Sequence, residues 1–197
     1  MQQFSLSANI EEGLSKNFQY IVTPNARDVA SGLVDGYRTG IHSFTIIGSY
    51  GTGKSSFLLA LEKDLQSKGS YSLLSPQTLS ANAKFDVLKI VGDYKDLVSL
   101  MRDKLSVDGT ADNVLDRLRE IYNQAKKQGK FLVIFIDEFG KVLEHAAKNN
   151  PEQELYFMQK LAEFVNVSTR QILLVTTLHQ NFSAYARKLS TLQKEEW

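Results

Sequence analysis

The residue types best suited to chemistry lie in one short segment, Gly48-Ser49-Tyr50-Gly51-Thr52-Gly53-Lys54-Ser55, which is followed by Ser56. It fits the pattern G-x-x-x-x-G-K-[ST] at every fixed position. Gly51 and Gly53 lack the Cβ atoms that would keep a polyanion at a distance, and they permit the positive φ angles that turn successive backbone N–H groups inward. Lys54 adds a full positive charge, and the Ser55 hydroxyl can bind Mg²⁺. The segment therefore predicts a binding site for the phosphates of a nucleotide.

Such a phosphate loop (residues 48–55) is credible only between a strand and a helix, and the flanking sequence predicts both. Residues 42–47 are mostly apolar or β-branched, whereas residues 55–66 are helix-forming throughout. The N-terminus of that helix would add free N–H groups and partial positive charge beside the loop. A chance match in a glycine-containing loop is the weaker interpretation.

Two adjacent carboxylates, Asp137 and Glu138, follow six consecutive apolar residues at 131–136. Such an apolar run predicts a strand that is buried on both faces. Because ligands of an open α/β sheet bind at the carboxyl ends of its strands, both carboxylates are expected beside the phosphates. Asp137 would complete a Mg²⁺ site with Ser55, and Glu138 could deprotonate an attacking water. The alternative is structural, with Asp137 as a helix N-cap and Glu138 in the first turn.

The remaining sequence alternates between predicted strands and predicted helices. Further strands are expected at 85–91 and 171–177, with short extended segments at 20–23 and 71–74. Helices are expected at 26–37 with Asn25 as cap, at 94–104, from Thr110 or Asp112 to about 125, in one or two pieces between 139 and 166, and at 181–193. This alternation indicates a mostly parallel sheet between two helical layers, an α/β/α sandwich. The length predicts one domain, residues 20–197, after an N-terminal extension, residues 1–19.

Composition excludes several classes of function. The chain has 197 residues, of which 23 are basic and 22 acidic, and its net charge is +1. This balance gives no electrostatic reason to expect nucleic acid or a membrane surface as partner. The absence of cysteine excludes disulfides, zinc–thiolate sites and thiol catalysis. The N-terminus does not resemble a secretory signal, and no apolar run is long enough to span a bilayer, so we expect a cytoplasmic protein.

With residues 48–55 as a Walker A motif and residues 131–138 as a Walker B motif, the chain resembles the ASCE division of P-loop ATPases. Within that division it most resembles the AAA+ ATPases, over about residues 20–190. The resemblance implies a P-loop NTPase fold, ATP as substrate, Mg²⁺ as cofactor, and hydrolysis coupled to movement or assembly. Residues 136–141 also resemble ATPase modules of large prokaryotic multidomain proteins.

The same resemblance implies further site residues. AAA+ proteins carry a polar sensor, usually Asn, at the end of the strand after Walker B, and His179 takes that position here. His in place of Asn departs from the family, and Thr176 and Thr177 are the alternatives if the strand register differs. An arginine finger reaching a neighbouring subunit would be Arg187 or Arg170, which implies a homo-oligomer. Residues 20–23 lie where the family brackets the adenine.

The family core continues with a fifth strand and a helical lid, whereas this sequence ends at Trp197. The resemblance therefore implies a piece of a longer protein, cut before that strand and lid, whose further domains are its partners. Besides an ATPase motor or switch, the sequence leaves open a nucleotide-dependent binding module with little or no turnover. A small-molecule kinase is disfavoured because no arginine-rich lid is found, and an ABC transporter because no Leu-Ser-Gly-Gly-Gln-type segment is present.

Overall fold

The structure, a computed structural model, describes residues 8–12, 18–66, 70–82, 84–167 and 169–185. The strands in these residues are β1 (Ser43–Ile47), β2 (Phe85–Val91), β3 (Phe131–Asp137) and β4 (Ile172–Leu178). They form one sheet in the spatial order β1-β4-β3-β2, and every neighbouring pair is parallel. All carboxyl ends of these strands therefore lie at the same edge of the sheet.

Helices in the described residues cover both faces of this sheet. They are α1 (Pro24–Arg38), α2 (Lys54–Gln66), α3 (Leu97–Leu105), α4 (Ala111–Lys127), α5 (Phe139–Ala146), α6 (Pro151–Val165) and α7 (Phe182–Tyr185), with a 3-10 turn at Pro76–Thr78. The chain has no helix, in the ranges described, whose length and apolar character would let it cross a membrane.

Strand β3 divides the core into its two halves. Leu132, Ile134 and Ile136 pack into a cluster with side chains of α3 to α7. The alternate residues, Phe131, Val133 and Phe135, pack into a second cluster with α1 and α2. Successive side chains of a strand point to opposite faces, so every residue of β3 is buried. The predicted three-layer α/β/α sandwich with a parallel sheet is confirmed.

The two short extended segments expected from the sequence do not form strands. Thr23 is the N-cap of α1, where its Oγ1 accepts a hydrogen bond from the Ala26 N–H at 3.2 Å. The helix begins at Pro24, because proline is favoured in the first turn, so the predicted Asn25 cap and start at Ala26 are wrong.

The segment at residues 71–74 is an irregular loop because the side chain of Asp64 takes up its backbone donors. The carboxylate accepts hydrogen bonds from the N–H groups of Tyr71 at 2.5 Å, Leu73 at 2.6 Å and Leu74 at 3.4 Å.

The other differences between the sequence predictions and the structure concern where helices begin and end. Helix α3 begins at Leu97, after an Asp96 cap, and Thr110 is the cap of α4. Of the predicted last helix, residues 182–185 are helical and the part from 186 onward lies outside the described residues.

Candidate functional site

The phosphate loop connects β1 to α2 at the carboxyl edge of the sheet. Gly51 has φ 76° and Gly53 has φ 83°, both in the left-handed region that favours glycine. The loop is attached to β4, since the Gly48 N–H donates to the Leu178 carbonyl at 3.0 Å. It is closed internally by Thr52, whose hydroxyl donates to the Ser49 carbonyl at 2.8 Å. Both glycines therefore adopt the positive φ angles that the sequence pattern permits.

Lys54 is the first residue of α2 and folds back over the loop. Its ammonium group donates to the carbonyl oxygens of Gly48 at 2.5 Å and Ser49 at 2.9 Å. Burial lowers the pKa of Lys54, while the negative charges of Asp137 and Glu138 raise it. The cation therefore lies within electrostatic reach of both predicted carboxylates.

Asp137 ends β3 and is 3% exposed. Its Oδ1 accepts a hydrogen bond from the Thr177 hydroxyl at 2.5 Å and another from the Glu138 N–H at 3.0 Å. Helix α5 begins at Phe139, so the N-cap position belongs to Glu138, which makes no side-chain cap hydrogen bond. The structural alternative, with Asp137 as the N-cap, is therefore wrong.

Glu138 has φ 51° and ψ 32°, a left-handed conformation that is uncommon for a residue with a side chain. Its N–H also lies 3.0 Å from Thr177 Oγ1. Its carbonyl approaches Gly92 so closely that a Cβ atom on Gly92 would lie 2.4 Å from the oxygen. The carboxylate forms a half-exposed ion pair with Lys141, and this hydrogen bond raises the pKa of Lys141.

His179 follows β4 and lies beside the phosphate loop. Its ring stacks on Tyr50 with centroids 4.4 Å apart and planes at 24°. On another side, the Tyr185 hydroxyl lies 3.3 Å from Nδ1, and Glu144 Oε1 lies 3.7 Å from Nε2. Gly140 of α5 makes room for this arrangement, because a Cβ atom there would lie 2.3 Å from the Tyr185 hydroxyl.

One cavity of about 260 Å³ brings these groups together. We call it the phosphate-loop cavity; it is lined by Ala8, Tyr50, Gly51, Gly53, Lys54, Ser55, Ser56, Asp137, Glu138, Thr177, Leu178 and His179. The predicted residues Gly48, Ser49 and Thr52 belong to the loop without lining the cavity. The Ser55 hydroxyl and the Asp137 carboxylate supply oxygen ligands of the kind that Mg²⁺ prefers, so the donor set fits this ion.

Other predicted residues lie elsewhere. Residues 20–23 do not line the phosphate-loop cavity, and the Tyr20 ring instead packs edge-on against Tyr71 at 5.9 Å. Arg170 donates a hydrogen bond to the Phe164 carbonyl and lies 4.3 Å from the centroid of that ring, and it does not line the phosphate-loop cavity. Arg187 lies outside the described residues.

The sequence patterns predict Thr177 only as a substitute sensor and predict no role in the site for Gly92 or Lys141. Thr176, the other substitute, points away from the cavity, and its hydroxyl lies 2.9 Å from that of Thr45. Placing Thr177 beside Asp137 requires the register between β3 and β4, which the sequence alone does not give. Ile136 pairs with Thr176, which places the following residue of β4 beside Asp137. A polar residue ending the neighbouring strand is the pattern that could have identified it.

Comparison with known proteins places this geometry in a family. The family model for AAA, the "ATPase family associated with various cellular activities", matches residues 44–195, well over half of the chain. No curated protein sequence matches the chain.

Several solved structures are similar in fold. The ORC2 protein of Aeropyrum pernix in its ADPNP–ADP complexes has a TM-score of 0.54 and 15% identity over 92% of this chain and 48% of that chain. The ADP form of ORC2 has a TM-score of 0.50 and 14% identity, over 92% of this chain and 49% of that one. PCH-2 of C. elegans has a TM-score of 0.46 and 18% identity, over 89% of this chain and 41% of that chain. This chain thus spans between 41% and 49% of the length of these structures. From the family match over residues 44–195, we conclude that the chain belongs to the AAA family of ATPases.

Proposed function

We propose that this chain binds ATP and hydrolyses it in a Mg²⁺-dependent reaction that drives conformational change or assembly in a larger protein. The observation that carries the proposal is the phosphate-loop cavity. It joins Lys54, Asp137 and Glu138 at the carboxyl edge of the sheet. Membership of the AAA family supports the reaction class.

Binding begins with the phosphate loop. Gly51 and Gly53 adopt positive φ angles and have no Cβ atoms, so backbone N–H groups of the loop can approach phosphate oxygens. Lys54 would exchange its bonds to the loop carbonyls for bonds to the β- and γ-phosphates. Burial lowers the pKa of this lysine by disfavouring its charged form, and the negative charge of a polyphosphate beside it would favour the charged form again.

Ser55 and Asp137 would hold Mg²⁺, which neutralises charge on the β- and γ-phosphates during transfer. Asp137 suits this role because hydrogen bonds to Oδ1 fix its carboxylate before a ligand arrives. One protein carboxylate is sufficient, since Mg²⁺ in such sites takes its other ligands from phosphate and water.

Glu138 would accept the proton of a water that attacks the γ-phosphorus while the bond from this phosphorus to the bridging oxygen breaks. The products are ADP and inorganic phosphate. His179 would contact the attacking water or the γ-phosphate, since its ring lines the same cavity. For Glu138 to act, its carboxylate must leave Lys141.

This ion pair favours one alternative, a nucleotide-dependent binding module with little or no turnover. A carboxylate oxygen that stays paired with Lys141 is occupied by that contact and is not available to accept the proton of an attacking water. ATP could then bind and order the surface around α5 for a partner without being cleaved.

The test compares Lys54→Ala and Glu138→Gln with the wild type in ATP binding and in ATP turnover with Mg²⁺. We expect Lys54→Ala to lose nucleotide binding. Glu138→Gln should keep binding and lose turnover by about 10²-fold or more, the usual contribution of a general base. Lys160→Ala and Glu163→Gln, which make the same chemical changes on the exposed face of α6, serve as controls.

If Glu138→Gln hydrolyses ATP at the wild-type rate, Glu138 is not the catalytic base. ATP binding without turnover in the wild-type chain would select the binding module instead.

A further inference from the structure

A single buried hydroxyl connects the two acidic residues of the site. Thr177 Oγ1 donates to Asp137 Oδ1 at 2.5 Å and accepts from the Glu138 N–H at 3.0 Å. The Glu138 N–H also lies 3.0 Å from Asp137 Oδ1, so the three groups form a closed triangle. A hydroxyl has one proton and two lone pairs, and this arrangement uses the proton and one of the lone pairs.

The position of this hydroxyl is fixed by the strand that carries it. Thr177 is 0% exposed, and every residue of β4 is buried. Its side chain is β-branched and therefore stiff about χ1. On one side of β4, the N–H of Gly48 is bonded to Leu178, and on the other, Ile136 pairs with Thr176. The hydroxyl is thus held rigidly between the phosphate loop and β3.

We propose that Thr177 is a positioning residue, which orients the Asp137 carboxylate for Mg²⁺ and ties the backbone of Glu138 to the end of β4. This inference rests on the proposed function, and it assigns to Thr177 a role other than that of a sensor contacting the γ-phosphate. The hydroxyl already donates its proton to Asp137, so it has none left to donate to a phosphate oxygen.

Replacing Thr177 with valine keeps the shape of the side chain and removes the donor. The Asp137 carboxylate then loses its shortest hydrogen bond while remaining buried. Removing an outer-shell partner of a metal ligand typically lowers metal affinity by about 10- to 100-fold. We therefore expect Thr177→Val to bind Mg²⁺ more weakly. The substitution changes no residue of the phosphate loop, so we expect nucleotide binding in the absence of Mg²⁺ to be unaffected.

The experiment measures binding of ADPNP, a non-hydrolysable ATP analogue, by titration calorimetry in MgCl₂ and in EDTA. The ratio of the two affinities is the coupling between Mg²⁺ and nucleotide. In Thr177→Val we expect this coupling to fall by about 10-fold or more, with affinity in EDTA within about twofold of wild type. Thr177→Ser, which retains the hydroxyl, should restore the coupling.

Thr176→Val is the matched control. It removes a buried hydroxyl from the adjacent residue of β4, but that hydroxyl bonds to Thr45 and not to the acidic pair. Its coupling should equal that of the wild type. If Thr177→Val does not fold, Thr177→Cys replaces it, since a thiol of similar size is only a weak donor and should show reduced coupling.

Full coupling in a folded Thr177→Val or Thr177→Cys variant would overturn the inference. A wild-type chain that binds ADPNP with no response to Mg²⁺ would overturn the proposed function, and the inference with it. Equal losses in MgCl₂ and in EDTA would also overturn the inference, because they would indicate a direct phosphate contact.

Discussion

At the scale of single residues, the conformation of Glu138 depends on what surrounds its backbone. A left-handed conformation costs a residue with a side chain roughly 1 kcal/mol or more, and it persists only where neighbours enforce it. Here the Gly92 N–H donates to the Asp137 carbonyl at 2.7 Å, which brings the end of β2 against the turn. With Thr177 on its other side, Glu138 is fixed from both neighbouring strand ends.

Gly92→Ala should therefore disturb the site. Its Cβ would lie 2.4 Å from the Glu138 carbonyl oxygen and 2.8 Å from the carbonyl carbon, which are backbone atoms that cannot rotate away. We expect destabilisation of about 1–3 kcal/mol from overpacking, measured by urea unfolding. We also expect at least a tenfold loss of ATP turnover, because displacing a catalytic group by about 1 Å can cost on the order of 10²-fold.

Gly32→Ala is the control for this substitution. A Cβ atom on Gly32, inside α1, would meet no atom within 4 Å. It should stabilise the chain by about 0.5–1 kcal/mol, since alanine is the better helix former. Unchanged turnover in Gly92→Ala would show that the approach of β2 does not position Glu138.

At the scale of elements, the predictions from sequence succeed where the determining contacts are local. Six apolar residues at 131–136 specify a strand buried on both faces, and the G-x-x-x-x-G-K-[ST] spacing specifies the turn between β1 and α2. The extended segment at residues 71–74 could not be rejected from its own residues. Its backbone donors bond to Asp64, seven to ten residues earlier, and that side chain points inward only in the folded protein.

The same limit applies to the candidate site. Sequence patterns identify the residues that would touch ligand, because their chemistry is distinctive. The groups that hold those residues, such as Thr177 and Gly92, have ordinary chemistry and are identified only by strand register. The assignments of Lys54, Ser55, Asp137, Glu138 and His179 stay predictions about function.

Glu154 of α6 accepts a hydrogen bond from the first residue of α3, and we expect its titration to affect stability. It is 4% exposed, its Oε1 accepts the Leu97 N–H at 2.8 Å, and burial raises its pKa from 4.5 to about 7, with a smaller contribution from Asp96. The folded chain thus favours protonated Glu154. Its contribution to stability is fully present below about pH 4.5 and is lost as the pH rises through 7.

Glu154→Gln imitates the protonated carboxyl at every pH. We expect its stability relative to wild type to increase between pH 5 and pH 8, by at most about 3 kcal/mol, in urea unfolding series across that range. Glu163→Gln, a substitution on the exposed face of α6, should show no such trend. A difference between Glu154→Gln and wild type that is constant with pH would contradict the raised pKa.

At the scale of the whole molecule, the parallel sheet brings the ends of β1, β3 and β4 to one edge, and each contributes a different part of the site. The phosphate loop follows β1, the carboxylates follow β3, and His179 follows β4. This arrangement is independent of most side chains, which is why the fold is shared with ORC2 at 15% identity. It also leaves the cavity open at the surface, where Tyr50 is 73% exposed.

If subunits share sites, as the family resemblance implies, turnover per chain should rise with protein concentration. An arginine that stabilises transition-state charge contributes about 10³- to 10⁵-fold to phosphoryl transfer, so a finger acting between subunits can be tested by complementation. Glu138→Gln lacks the base but retains Arg187, whereas Arg187→Ala lacks the candidate finger but retains the base. Each should be nearly inactive alone, and a mixture should recover turnover because some sites then combine an intact base with an intact arginine. A mixture no more active than the sum of its parts, with turnover per chain independent of concentration, would mean that each chain acts alone.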